Sequence, residues 1–64
     1  MIKLTRLRGA SFVLNCEIIE SVEETPDTVI TTVEGKKYVV LESIDEVIQK
    51  VIQYKSQILL INRV

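Results

Sequence analysis

The 64 residues of this chain include one cysteine and no histidine, and the formal charge is −1, so composition predicts one small domain. An internal disulfide and a zinc ligand set are both excluded, and the mixed charges argue against a general binder of nucleic acid or anionic membrane. A domain this small buries only about 60% of its unfolded surface. We therefore expect self-association or a partner to add stability.

The first half of the chain predicts three strands joined by tight turns. Alternating apolar and polar residues predict strands over residues 2–7 and 11–14. Gly9 lies between them and can take the positive φ of a hairpin turn. A third strand is expected over about 19–24.

A Pro-Asp turn separates the third strand from the fourth. Proline fixes φ and aspartate can bond its own backbone, so the segment is typical of a turn. It comprises Thr25, Pro26, Asp27 and Thr28. The fourth strand is expected over about 29–33.

The fifth predicted strand, residues 37–41, follows a second turn at Gly35. It has no polar face beyond its first residue, because it continues as Tyr38, Val39, Val40 and Leu41. A strand that is apolar on both sides is usually central, covered by a helix, or pressed on another subunit.

A capping box predicts that one helix begins after Ser43 and covers about 44–58. The Ser43 hydroxyl can accept from the amide of Glu46, whose carboxylate can reach back to the Ser43 amide. An amphipathic stripe follows, with Tyr54 off its main line. The stripe consists of Ile44, Val47, Ile48, Val51, Ile52, Lys55 and Ile58 or Leu59. The last residues, LLINRV, could continue the helix, pack back or contact another chain. Together these elements predict an α+β fold, a small antiparallel, barrel-like sheet of about five strands followed by one C-terminal helix.

Candidate chemical groups are few. The glutamates at 17, 20, 23 and 24 are best interpreted as a solvated acidic edge, because a general base needs a partner and an apolar cleft. Cys16 has no histidine to activate it, so a packing role is expected. No phosphate-binding glycine motif occurs. We expect no catalytic, cofactor-binding or metal-binding residues, and therefore not an enzyme.

A basic patch supports an alternative function. It comprises Arg6, Arg8, Lys36 and Lys37, and it would suit a small RNA-binding post-transcriptional regulator. With only three aromatic residues available for base stacking, nucleic-acid binding is not the favoured hypothesis.

The apolar surface of the predicted elements is the stronger indication of function, because it exceeds what one small core needs, although a single core could also bury all of it. The sharper hypothesis is a homo-oligomer, or a docking face for a larger protein. Its candidate residues are Tyr38, Val39, Leu41, Tyr54, Leu59, Leu60 and Ile61.

An ordered set of short motifs resembles the small flagellar proteins of the FlbD family, also known as SwrD. The motifs are MIKLTRL with Gly9, then Phe12, Leu14-Asn15, Glu17–Glu20, EETPDTVIT at 23–31, Gly35-Lys36-Lys37, Val39-Val40, Glu42-Ser43 and Glu46-Val47. The resemblance covers residues 1 to about 57. It implies a non-enzymatic accessory protein that supports motor power in swimming and swarming, through the stator proteins MotA and MotB. It also implies a cytoplasmic location, peripheral at the flagellar motor and without membrane insertion, and it brings no assigned site residues.

Overall fold

The computed structural model describes the backbone of residues 1–62 and the side chains of residues 1–58. In chain order, the elements are β1 (Ile2–Thr5), β2 (Ser11–Leu14), a 3₁₀ turn (Cys16–Ile18), β3 (Ile19–Glu24), β4 (Thr28–Thr32), β5 (Lys37–Val40) and α1 (Ile44–Asn62). The predicted α+β fold, with five antiparallel strands before one C-terminal helix, is therefore confirmed. No helix in the described part of the chain is long and apolar enough to cross a membrane.

The strands form two antiparallel sheets instead of one continuous sheet. β1 pairs with β2, and β3, β4 and β5 pair in that order. The sheets meet where β1 ends, through an isolated bridge between Arg6 and Val40 and a 2.9 Å hydrogen bond from the Leu41 amide to the Thr5 carbonyl. This junction brings the two sheets around one core.

The boundaries of four elements differ from the predicted ones. β1 ends at Thr5 instead of residue 7, because the Gly9 amide donates to the Arg6 carbonyl at 2.8 Å and closes a turn there. Gly9 has a φ of 101°, as the turn prediction required. β4 lies one residue earlier than predicted, at Thr28–Thr32, β5 ends at Val40, and α1 continues beyond residue 58 to Asn62.

The core lies between the sheets and the first half of α1. Strand alternation directs one apolar residue in two inward, so the buried set is short. It comprises Ile2, Leu4, Leu14, Cys16, Ile30, Val40 and Val47. Thr28 and Thr32 are buried beside Ile30 on β4, and the Thr32 hydroxyl oxygen accepts from the Lys36 amide at 3.2 Å. Val33, which was expected to be the last residue of the fourth strand, is 63% exposed in the turn after β4.

The buried face of α1 is rotated relative to the predicted stripe. Tyr54, which the sequence placed off the stripe, is half-buried and packs against the core together with Val51. Ile48 and Ile52 are instead 46% and 55% exposed. One half of the apolar stripe therefore stabilises the fold, and the other half remains accessible.

Candidate functional site

The junction between β1 and the start of α1 is held by one carboxylate. The Thr5 amide donates to Glu42 Oε1 at 3.0 Å, and the Thr5 hydroxyl donates to Glu42 Oε2 at 2.8 Å. Burial by itself raises the pKa of the Glu42 carboxyl, but these hydrogen bonds outweigh it and hold the pKa below its usual value. Glu42 is therefore an ionised structural acceptor, and sequence analysis gave it no such role.

The first turn of α1 is capped by its own side chains and by β3. The Glu46 amide donates to the Ser43 hydroxyl at 3.2 Å, and the Ser43 amide donates to Glu46 Oε1 at 3.0 Å. This confirms the predicted capping box. The Ile44 amide donates to Glu24 Oε1 at 2.9 Å, so a glutamate of β3 satisfies another free donor of the helix N-terminus.

The glutamates near α1 have structural partners of their own. Glu24, Glu42 and Glu46 accept backbone amide hydrogen bonds, and Glu17 Oε1 lies 3.4 Å from Lys55 Nζ. Within residues 1–58, no three histidine, cysteine, aspartate or glutamate side chains come together in a way that could hold a metal ion. Glu17, Glu24 and Glu42 therefore link α1, or the segment just before it, to the rest of the fold, and Glu46 caps the helix itself.

An apolar groove lies between α1 and β3, with a volume of about 280 Å³. It is lined by Cys16, Ile19, Val22, Val47, Ile48, Val51 and Ile52. Val47 and Cys16 belong to the core, whereas Ile48 and Ile52 project from it. Cys16 is a free, buried thiol, as its predicted packing role requires.

The sequence did not single out this groove. The spacing of Ile44, Ile48 and Ile52 was visible in the helical stripe, but it could not show which half of the stripe the sheets cover. Ile19 and Val22 lie on β3, in which three of the six residues are glutamates. Only the packing of α1 against β1 and β3 brings the two sets together.

The predicted basic patch is partly assembled around two aromatic rings. Phe12 and Tyr38 stack with their centroids 5.4 Å apart, and the Arg6 guanidinium carbon lies 4.3 Å from the Phe12 centroid. Lys36 and Lys37 precede Tyr38 and are exposed, as is Arg8. Because Arg6 and Tyr38 already contact the Phe12 ring, this ring offers little for a nucleobase to stack on.

Four of the predicted interaction residues have described side chains, and they differ in exposure. Val39 and Leu41 are 38% and 55% exposed, whereas Tyr38 and Tyr54 are half-buried against the core. The remaining three candidates, Leu59, Leu60 and Ile61, lie outside the described side chains.

Two of the predicted turns, the Pro-Asp turn and the turn at Gly35, lie at opposite ends of β4. Thr25, Pro26 and Asp27 form the exposed turn before it, and the Thr25 amide donates to the Asp27 carbonyl at 3.2 Å. Thr28, expected as part of this turn, is instead the buried first residue of β4. Gly35 has a φ of 88° in the turn after β4, which favours glycine there.

Comparison with known proteins identifies a family for nearly the whole chain. The model of the family FlbD, described as flagellar and swarming motility proteins, matches residues 1–59. No curated protein and no solved structure gives a significant match. The match spans all five strands, the groove and most of α1.

Proposed function

This chain belongs to the FlbD family of flagellar and swarming motility proteins, and from that premise we propose that it is a non-enzymatic accessory protein of the flagellar motor. In this proposal it supports torque by binding other proteins, with the MotA/MotB stator as the partner. It acts in the cytoplasm, at the periphery of the motor. The family match is the observation that carries the proposal.

The chemistry of the described side chains supports binding over catalysis. Glu24, Glu42 and Glu46 hold backbone amides near the helix start, and the Cys16 thiol is buried. A general acid or base would need a carboxyl group with a raised pKa in a cleft. For Glu42, burial raises the pKa of the carboxyl but the hydrogen bonds from Thr5 outweigh it and hold the pKa below its usual value, which is the opposite of what a general acid needs.

A second copy of the chain is the proposed partner for the outer face of the larger sheet. Val29 and Val39 are cross-strand neighbours there, and Leu41 follows β5 with 55% of its surface exposed. An apolar face of this kind is typical of a contact between subunits. Light scattering at micromolar concentration should show a mass above that of the 7.3 kDa chain. A purely monomeric mass, unchanged by Val39→Glu, would reject self-association.

Deletion of the gene tests the proposed role in the motor. We expect cells with normal filaments whose motors stall at a lower load in a tethered-bead assay. The wild-type gene supplied in trans should restore the stall torque. Missing filaments would point to flagellar assembly instead, and unchanged torque would reject the motor role.

A further inference from the structure

The groove beside α1 exposes a ridge of apolar side chains on the helix. Ile44, Ile48 and Ile52 are spaced four residues apart and form one ridge along the helix. Ile48 and Ile52 are about half exposed, and β3 supplies the opposite wall through Ile19 and Val22. Ridges with this spacing pack into the grooves between side chains of a second helix.

An added strand is a poorer fit than a helix at this position. β3 is an edge strand, paired with β4 on one side in the described part of the chain. Its pairing is interrupted by a register shift between Ile19 and Ser21, and it carries exposed glutamates at 20 and 23. Bulges and charges of this kind protect an edge from further strand pairing.

The charge around the groove specifies the chemistry of the occupant. The elements that border it carry six acidic side chains and two lysines, namely Glu17, Glu20, Glu23, Glu24, Asp45, Glu46, Lys50 and Lys55. The whole chain has a net charge of only −1, so negative charge is concentrated here. Lys55 is already paired with Glu17, and Lys50 lines a separate cavity beside Met1 and Ile2.

Two of these acidic groups remain available to a partner in the groove. Glu20 and Asp45 are exposed and form no salt bridge within residues 1–58, whereas Glu23 is the cross-strand neighbour of Val29 and lies on the outer face of the sheet. A helix with lysine or arginine beside its apolar face would meet Glu20 and Asp45 when it enters the groove. A second copy of this chain would instead bring its own Glu20 and Asp45 towards the same two residues, and like charges would repel.

We propose that this groove binds a helix of a partner protein, apolar along one face and basic on its flanks. The inference rests on the proposed role as an interaction protein, and it adds the surface and the partner's chemistry. Binding buries Ile48 and Ile52, while the partner's cations lie against Glu20 and Asp45.

A synthetic helix tests this assignment without the natural partner. The probe is a labelled peptide of about five helical turns with a leucine stripe flanked by lysines, and its control carries glutamates in place of the lysines. We expect only the lysine peptide to bind, and its binding should change the NMR chemical shifts of the methyl groups of Ile19, Ile48 and Ile52. Its affinity should fall as salt is raised. Equal binding of both peptides, or no binding, would overturn the proposal.

Matched variants then locate the binding. Ile48→Gln/Ile52→Gln should weaken the lysine peptide at least about tenfold, whereas Leu7→Gln/Val13→Gln on the first hairpin should not, although Leu7 and Val13 are similarly exposed. Equal weakening by both pairs would overturn the assignment to the groove. Thermal unfolding of each variant verifies that it is folded.

The charges can be tested in the same way. Glu20→Gln/Asp45→Asn should reduce the salt dependence of binding, and Asp27→Asn/Glu34→Gln should leave it unchanged, because Asp27 and Glu34 lie in turns outside the groove lining. If the Glu20→Gln/Asp45→Asn variant binds with the same salt dependence as wild type, these carboxylates do not bind the partner's cations and the proposed basic partner is wrong.

Two outcomes separate this inference from the proposed function. If the probe fails to bind but deletion still lowers motor torque, the groove assignment is wrong and the motor role stands. A concentration-dependent dimer that Ile48→Gln/Ile52→Gln dissociates would place a second copy in the groove and would also overturn the assignment.

Discussion

Replacing Glu42 with glutamine tests the junction that holds the two sheets and the helix together. The Glu42 carboxylate accepts hydrogen bonds from the amide and the hydroxyl of Thr5, at 3.0 and 2.8 Å. Hydrogen bonds to a charged acceptor contribute about 1.5–3 kcal/mol each, but Glu42 is half-exposed and water competes. Glutamine keeps one accepting oxygen without the charge. We expect E42Q to lose about 1.5 kcal/mol of unfolding free energy at neutral pH.

That loss is large for a chain of this size. A single core this small supplies roughly 3–5 kcal/mol, and each kcal/mol corresponds to about 4–8 °C in Tm. Urea unfolding followed by far-UV circular dichroism should therefore resolve E42Q from wild type. The matched control is Glu34→Gln, which changes an exposed glutamate in the β4–β5 turn and should have little effect.

The stability difference between wild type and E42Q should depend on pH, and the direction of this dependence follows from the pKa of Glu42. Because the pKa of Glu42 is lower in the folded state than in the unfolded chain, its ionised form stabilises the fold above the unfolded pKa of about 4.3. This stabilisation is lost as the pH falls through the folded pKa. The difference between wild type and E42Q should shrink steadily as the pH is lowered from the unfolded pKa of about 4.3 through the lower, folded pKa. A difference that stays the same in acid, or none at neutral pH, would refute the role of the ionised carboxylate.

Three further predictions concern the cap and the core. Ser43→Ala should cost about 1 kcal/mol in urea unfolding, since it removes the hydroxyl that caps α1; an unchanged midpoint would contradict this. Leu4→Ala, at a fully buried position, should cost about 2–5 kcal/mol and leave much of the chain unfolded by circular dichroism, whereas exposed Leu7→Ala should not. The buried Cys16 thiol should react with Ellman's reagent much more slowly in native protein than in urea; equal rates would contradict its burial.

Local sequence signals predicted the elements well because their causes are local. The capping box from Ser43 to Glu46 spans four residues, and its hydrogen bonds occur as expected. Gly9 and Gly35 were expected at turns, and both have positive φ. The alternation that predicted the first two strands likewise agrees with the burial of Ile2, Leu4 and Leu14 in the core.

Contacts between distant segments could not be read from the sequence. Thr5 and Glu42 are 37 positions apart, and nothing around either residue indicates the pair. The burial of Tyr54 and the exposure of Ile52 depend on how α1 is rotated about its axis against the sheets. The apolar stripe of the helix is wider than the face that the sheets cover, so the sequence does not determine this rotation. The groove was missed for the same reason, since its two walls come from β3 and α1.

The most direct test of the whole account is motor torque in a deletion strain that produces defined variants. The strain should regain its stall torque with wild-type protein or with Leu7→Gln/Val13→Gln. With Ile48→Gln/Ile52→Gln it should remain weak, although the variant accumulates to the same level, because Ile48 and Ile52 are about half exposed and contribute little to the core. Full recovery of torque with this groove variant would contradict the claim that the protein acts through the groove beside α1.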